Sequence, residues 1–173
     1  MNSIFLTGTA GSGKSQLTSR LTDSFIQNDK EVIAVNLDPG VNNLPYSADI
    51  DIRDFININE IMEKYNLGPN GAVILAADLI ASKIDEINDT IQTYNPDYVF
   101  FDTPGQIELF AFRTSGPFFV QNIYGEGRAN IFLCDSTLIS KPENFVSIAL
   151  LASSIKLQLK IPQICVLSKQ DLI

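Results

Sequence analysis

Eight residues, Gly8-Thr9-Ala10-Gly11-Ser12-Gly13-Lys14-Ser15, constrain this chain more than any other stretch. They read G-x-x-x-x-G-K-S, between the apolar run Ile4-Phe5-Leu6 and a stretch of helical character. Glycines let a backbone wrap an anion closely, so that successive N–H groups point inward. A helix starting behind the loop adds the positive end of its dipole, and Lys14 adds a full charge over the outer phosphates. Ser15 is left to offer its hydroxyl to Mg²⁺. The pattern predicts a strand–loop–helix unit that binds phosphate, without saying which nucleotide carries it.

A chain of 173 residues, 45% hydrophobic and 18% charged, is expected to fold as one domain with a real core. A net charge of −8 with no Lys/Arg cluster argues against direct nucleic-acid binding through a basic surface. The absence of histidine removes His general bases, His triads and His-ligated zinc. Cys134 and Cys165 each lie inside an apolar run and read as buried strand thiols. The phosphate-binding strand begins almost at the first residue, leaving no room for a signal peptide, and no apolar run approaches membrane-spanning length. A soluble cytoplasmic protein without membrane contact is expected.

Strand-like and helix-like stretches alternate, the pattern of an α/β protein with a mainly parallel sheet. Strands are predicted at Ile4–Thr7, Glu31–Leu37, Tyr98–Asp102, Ala129–Asp135 and Gln163–Leu167. A helix from Lys14 to about Gln27 carries the stripe Leu17, Leu21, Phe25. Asn59 is expected to cap a short helix up to about Asn66. Gly68-Pro69-Asn70 reads as helix stop and start, with Gly68 ending that helix and Asn70 capping the next, which is predicted to run to about Thr93. Ile80, Ile84, Ile87 and Ile91 form its stripe, but Ala72 to Ala77 is apolar on every side, which suits burial against another element or subunit. A last helix is predicted from Glu143 to about Lys160. Val41 to Ile56 shows no periodicity, a long connection that hints at function. Leu109 to Gly127 cannot be assigned.

Ligands of parallel sheets bind beyond the carboxyl ends of strands, and three further polar groups stand there. Asp38 in Asn36-Leu37-Asp38-Pro39-Gly40 is equally a turn residue and a carboxylate facing the phosphates. Asp102 ends an apolar strand and is followed by a Pro-Gly turn, suiting a metal-facing carboxylate before a loop. Ser168-Lys169-Gln170-Asp171 is either a charged loop tip or a base selector. A carboxylate there accepts two hydrogen bonds from the ring N–H and exocyclic amine of guanine, a pair adenine does not offer.

Gly8 to Ser15, Asn36-Leu37-Asp38-Pro39, Asp51-Ile52-Arg53-Asp54, Gly68-Pro69-Asn70 and Asp102-Thr103-Pro104-Gly105-Gln106-Ile107-Glu108 together resemble the GPN-loop GTPases. The likeness extends over essentially the whole chain, and its spare layout is similar to the archaeal members. The resemblance implies a P-loop NTPase of the dimeric SIMIBI type, binding GTP and GDP with Mg²⁺. Gly11, Ser12, Gly13, Lys14, Ser15 and Gln16 would contact phosphates, and Ser168, Lys169 and Asp171 the guanine. Ser15, Asp38 and Asp102 would serve the metal. Gln106 would orient the attacking water with Glu108 as helper, and Lys14 and Asp38 would assist the chemistry. Asn70 would act in trans, reaching the partner subunit's site, with the helix behind it as homodimer interface. A role in assembly of a protein client follows from the same resemblance. A dimeric ATPase switch, a small-molecule kinase and an assembly factor with negligible hydrolysis stand as rivals. The family commonly has Asn or Thr where this chain has Ser168. Its members continue with a further strand, a guanine-touching loop and helices. The single domain of residues 1–173 is therefore expected to lack its C-terminal strand and helices and to bind nucleotide weakly.

Overall fold

The computed structural model describes residues 1–172. Its centre is a sheet of six parallel strands in the order β3-β2-β4-β1-β5-β6. These are β1 (Asn2–Gly8), β2 (Val32–Asn36), β3 (Ile50–Asp51), β4 (Tyr98–Asp102), β5 (Gly127–Asp135) and β6 (Gln163–Ser168). The helices are α1 (Lys14–Gln27), α2 (Ile58–Tyr65), α3 (Pro69–Leu79), α4 (Ile84–Tyr94), α5 (Ile107–Ala111), α6 (Ser115–Asn122) and α7 (Pro142–Leu159).

The strands at the middle are apolar on both faces, as strands covered on both sides must be. Phe5 of β1 stacks on Phe101 of β4 at 4.7 Å, and Phe119 of α6 meets Phe101 edge-on at 5.8 Å. On the other face, Phe25 of α1 packs edge-on against Phe100 at 5.3 Å. Both faces of β4 are thus sealed by aromatic contacts, which hold the carboxyl ends of β1 and β4 rigidly beneath the phosphate loop.

Several local expectations change. The unassigned 41–56 stretch contains the edge strand β3 and a 3₁₀ turn, Ile52–Asp54, while α5 and α6 fill the unassigned 109–127 stretch. Asn57, not Asn59, caps α2, because its Oδ1 accepts from the N–H of Asn59 at 2.9 Å and of Glu60 at 3.4 Å. Asn66 ends α2 in the left-handed region (φ 51°), so Gly68 is not needed as its stop. Gly68 instead caps α3 and Pro69 opens it, which leaves Asn70 in the first turn and exposed. The long helix expected up to Thr93 breaks at a 3₁₀ turn, Ile80–Lys83, where Ser82 Oγ donates to the Leu79 carbonyl at 2.6 Å. Its isoleucine stripe nonetheless stays in the core, none of the four being more than 7% exposed.

The apolar run of α3 has an intramolecular explanation. Ala72, Ala76 and Ala77 are buried within the chain itself, and Ile74 is the residue turned outward. The two thiols are not both buried: Cys134 is half-buried and Cys165 is exposed on β6. Exposure there is shared by Phe145, Leu150 and Leu157 of α7 and by Ile164 of β6. Among the described residues no single helix is long and apolar enough to cross a membrane.

Candidate nucleotide site

β1 ends at Gly8, where only glycine fits: an added Cβ would meet the Leu133 carbonyl and Ser12 Oγ at 2.7 Å each. The loop then turns through Gly11 (φ 74°) and Gly13 (φ 95°), a conformation that L side chains rarely adopt. Gly13 caps α1, so the first amides of the helix open toward the loop. Lys14 lies at this mouth and is only 6% exposed, donating to the carbonyls of Gly8 at 3.1 Å and Thr9 at 3.0 Å. Burial lowers its pKa, against the carboxylates of Asp102 and Asp38, which raise it. Thr9 Oγ1 and Ser12 Oγ are buried without a partner.

Two loops from neighbouring strands face this one. Asn36 locks the chain after β2: its Oδ1 accepts from Asp38 N at 3.0 Å, and its Nδ2 donates to Asp38 O at 3.2 Å and to Asp51 Oδ1 at 2.9 Å. Asp38 joins its own turn to the loop after β4. Its Oδ1 accepts from Gly40 N at 2.9 Å as a turn residue, and its Oδ2 accepts from Gly105 N at 3.2 Å across the site. Asp51 pairs with Arg53 at 2.6 Å, and Arg53 donates to the Val41 carbonyl at 3.0 Å, so the Asp-Ile-Arg-Asp motif anchors the loop after Asp38. Asp102 is 2% exposed; its Oδ2 accepts from Tyr46 Oη at 3.2 Å, and its Oδ1 has no partner. Burial raises its pKa, although the neighbouring hydroxyls of Ser15 and Tyr46 and the charge of Lys14 oppose this. Burial also raises the pKa of Tyr46, with Asp102 adding to it. Thr103 Oγ1 donates to the Leu6 carbonyl at 2.7 Å and clamps the two strand ends together.

The enclosed cleft has a volume of about 230 Å³ and is lined by Gly11, Gly13, Lys14, Ser15, Gln16, Asp38, Asp102 and Gly105, among others. A larger cleft of about 480 Å³ between α7 and β6 is lined mainly by apolar residues such as Phe145, Ile148 and Leu167 and lacks such a cradle. Asn70, Gln106 and Glu108 are all exposed and do not line the phosphate cleft within the chain. Gln106 precedes α5 directly after Gly105, and Glu108 lies in its first turn.

The stretch from Ser168 to Asp171, expected to select the base, lies two strands from β1. Ser168 ends β6, with its Oγ donating to the Cys134 carbonyl at 3.2 Å. Lys169 turns through the left-handed region (φ 57°), and Asp171 is exposed in a 3₁₀ turn. The end of β5 holds this turn: Ser136 Oγ donates to the Lys169 carbonyl at 2.6 Å, and Lys169 Nζ donates to Asp135 Oδ2 at 2.7 Å. Burial alone would raise the Asp135 pKa, but hydrogen bonds from Lys169 and Thr137 hold it below the ordinary carboxylate range. Asp135, Ser136 and Tyr46 escaped the sequence reading. Asp135 carried the same signal as Asp102, an apolar strand ending in a carboxylate, whereas nothing local marks Tyr46.

A family model described as a conserved hypothetical ATP binding protein matches residues 6–173. GPN-loop GTPase 1 of Dictyostelium discoideum is 34% identical, over 98% of this chain and 43% of that protein. GPN-loop GTPase 1 of Schizosaccharomyces pombe is 36% identical, over 97% of this chain and 47% of that protein. The crystal structure of a GTPase in apo form from Pyrococcus abyssi superposes with a TM-score of 0.85 at 34% identity, covering 99% of this chain and 68% of that one. The chain belongs to the GPN-loop GTPase family. It spans less than half the length of these two curated GPN-loop GTPases. MinD of Aquifex aeolicus, with a TM-score of 0.53, and FlhF complexed with GMPPNP and Mg²⁺, with 0.52, share the fold at 14% and 15% identity.

Proposed function

We propose that the chain binds GTP with Mg²⁺ and hydrolyses it to GDP and phosphate as one half of a cytoplasmic homodimeric switch. The observation that carries this is the buried, half-partnered carboxylate of Asp102 beside the Gly8–Ser15 cradle and Lys14. The residues fit a magnesium ion. The oxygens of Ser15, Asp38 and Asp102 are hard donors, and one Asp102 oxygen is buried without a partner. Among the described residues no group of three or more His, Cys, Asp or Glu could hold a metal by itself. Bound there, Mg²⁺ supplies positive charge against the outer phosphate oxygens.

Lys14 and the loop amides neutralise charge on the phosphates, while Asp102 and Asp38 hold the metal's waters. Gln106 orients a water for in-line addition to the γ-phosphorus, with Glu108 assisting. The bond to the bridging oxygen breaks, GDP leaves with the electron pair, and the proton of the water passes to an oxygen of the released phosphate. Asn70 comes from the second subunit, in agreement with its exposure at the start of α3 and its absence from the cleft of its own chain. Ser168, Lys169 and Asp171 select guanine. The switch acts on a protein client in an assembly or chaperone-like role, without direct contact to nucleic acid or membrane. ATP is the second reading, favoured by the description of the matching family model.

A complementation experiment tests the reading. Asn70→Ala chains keep an intact cradle, and Lys14→Met chains keep an intact Asn70. Each alone is expected to lose GTP turnover by about a hundredfold, and a mixture regains part of it because one complete site forms per heterodimer. Failure of the mixture to regain turnover overturns the trans role. Faster turnover of ATP than GTP by the wild type overturns the choice of guanine.

A further inference from the structure

The segment between Pro39 and Ile50 belongs to no phosphate-binding motif, yet it borders the cleft beside Asp38 and Asp102. Val41 and Leu44 line that cleft. Arg53 holds one end of the segment through the Val41 carbonyl at 3.0 Å. The other end is pinned to β2, with Asp49 N donating to the Ala34 carbonyl at 2.9 Å and Asp49 Oδ2 accepting from Ala34 N at 2.8 Å. Between these anchors Tyr46, half-buried, donates its hydroxyl to Asp102 Oδ2 at 3.2 Å.

The two oxygens of Asp102 are therefore not equivalent. Oδ2 is occupied by Tyr46, while Oδ1 is buried without a partner. A carboxylate held by one hydrogen bond loses its freedom to rotate, and a buried acceptor left open is costly unless something fills it. Resting on the nucleotide–metal reading above, we propose that Tyr46 is a positioning residue that fixes the Asp102 carboxylate so that Oδ1 remains open to the waters of a bound Mg²⁺. Tyr46 touches neither phosphate nor metal in this role. It acts through Asp102, and it ties the 41–49 strap to the state of the metal site.

The test uses the full chain and a fluorescent GDP analogue, titrated with Mg²⁺ and with EDTA. Wild type and Tyr46→Phe are expected to bind equally in EDTA. The gain in affinity on adding Mg²⁺ falls about tenfold or more in Tyr46→Phe, the share of one hydrogen bond to a charged group. Asp102→Asn abolishes the gain, and adding Tyr46→Phe to it has no further effect, because Tyr46 acts only through that carboxylate. An unchanged Mg²⁺ gain in Tyr46→Phe overturns the inference. So does a loss of equal size in EDTA and Mg²⁺, which marks a merely structural hydroxyl. If the wild type itself shows no Mg²⁺-dependent gain, the metal reading fails first and the inference with it.

Discussion

The phosphate end and the proposed base end of the site are built in opposite ways. At the phosphate end, loops from β1, β2 and β4 converge, and Lys14 and Asp102 are 6% and 2% exposed. At the base end, Asp171 lies exposed on a single turn after the edge strand β6, held by Ser136 and Asp135 of one neighbour. Buried charge is expensive and is retained where a ligand will meet it. Exposed charge costs little and contributes little until a partner excludes water from it. The phosphate end thus trades stability for a prepared site, whereas the proposed base end rests on a carboxylate that costs the free chain almost nothing.

The largest effect that would break this contrast is at Lys14. Lys14→Met is expected to weaken nucleotide binding by about a hundredfold, the loss of charge-assisted hydrogen bonds to phosphate, without lowering the midpoint of thermal unfolding. A lower midpoint with binding retained would show that Lys14 is structural. Next is Asp171→Ala, expected to weaken GDP about tenfold or more while leaving ADP binding and the unfolding midpoint unchanged. Equal loss for both nucleotides in a competition assay would remove the base-selecting role.

The smallest effect concerns pH. Asp135 has its pKa depressed in the folded chain, so its contribution is present above the unfolded value, ~3.9, and is lost as pH falls through the lower folded value. Unfolding free energies from urea titration should therefore fall more on acidification for the wild type than for Lys169→Met, by less than ~1 kcal/mol because Lys169 is partly exposed to water. Parallel curves would mean that the clasp contributes nothing to stability.

How much was legible differs by element. The cradle, α1, β4 and α7 were readable because each is declared locally, by glycine spacing, an apolar run or a helical stretch. Asn57 as a cap was missed by two positions because either asparagine could have served, and it is Asn57 whose Oδ1 meets the Asn59 and Glu60 amides. The break at Ile80–Lys83 was invisible because the isoleucine stripe continues through it. Tyr46 lay hidden in a stretch without periodicity, since its partner is 56 residues away.

The sequence by itself determined that the chain is a parallel α/β unit with a phosphate cradle and several strand-end carboxylates. These follow from short-range stereochemistry: glycine's freedom at positive φ, the alternation of strands and helices, and turns that place Asp behind apolar runs. Only the tertiary structure decided that Asp38 bridges two loops, that Asp102 has one oxygen engaged and one open, and that Asn70 stands outside its own cleft. Those facts depend on which strand ends become neighbours and on what closes over them, and packing settles that between residues far apart in the chain.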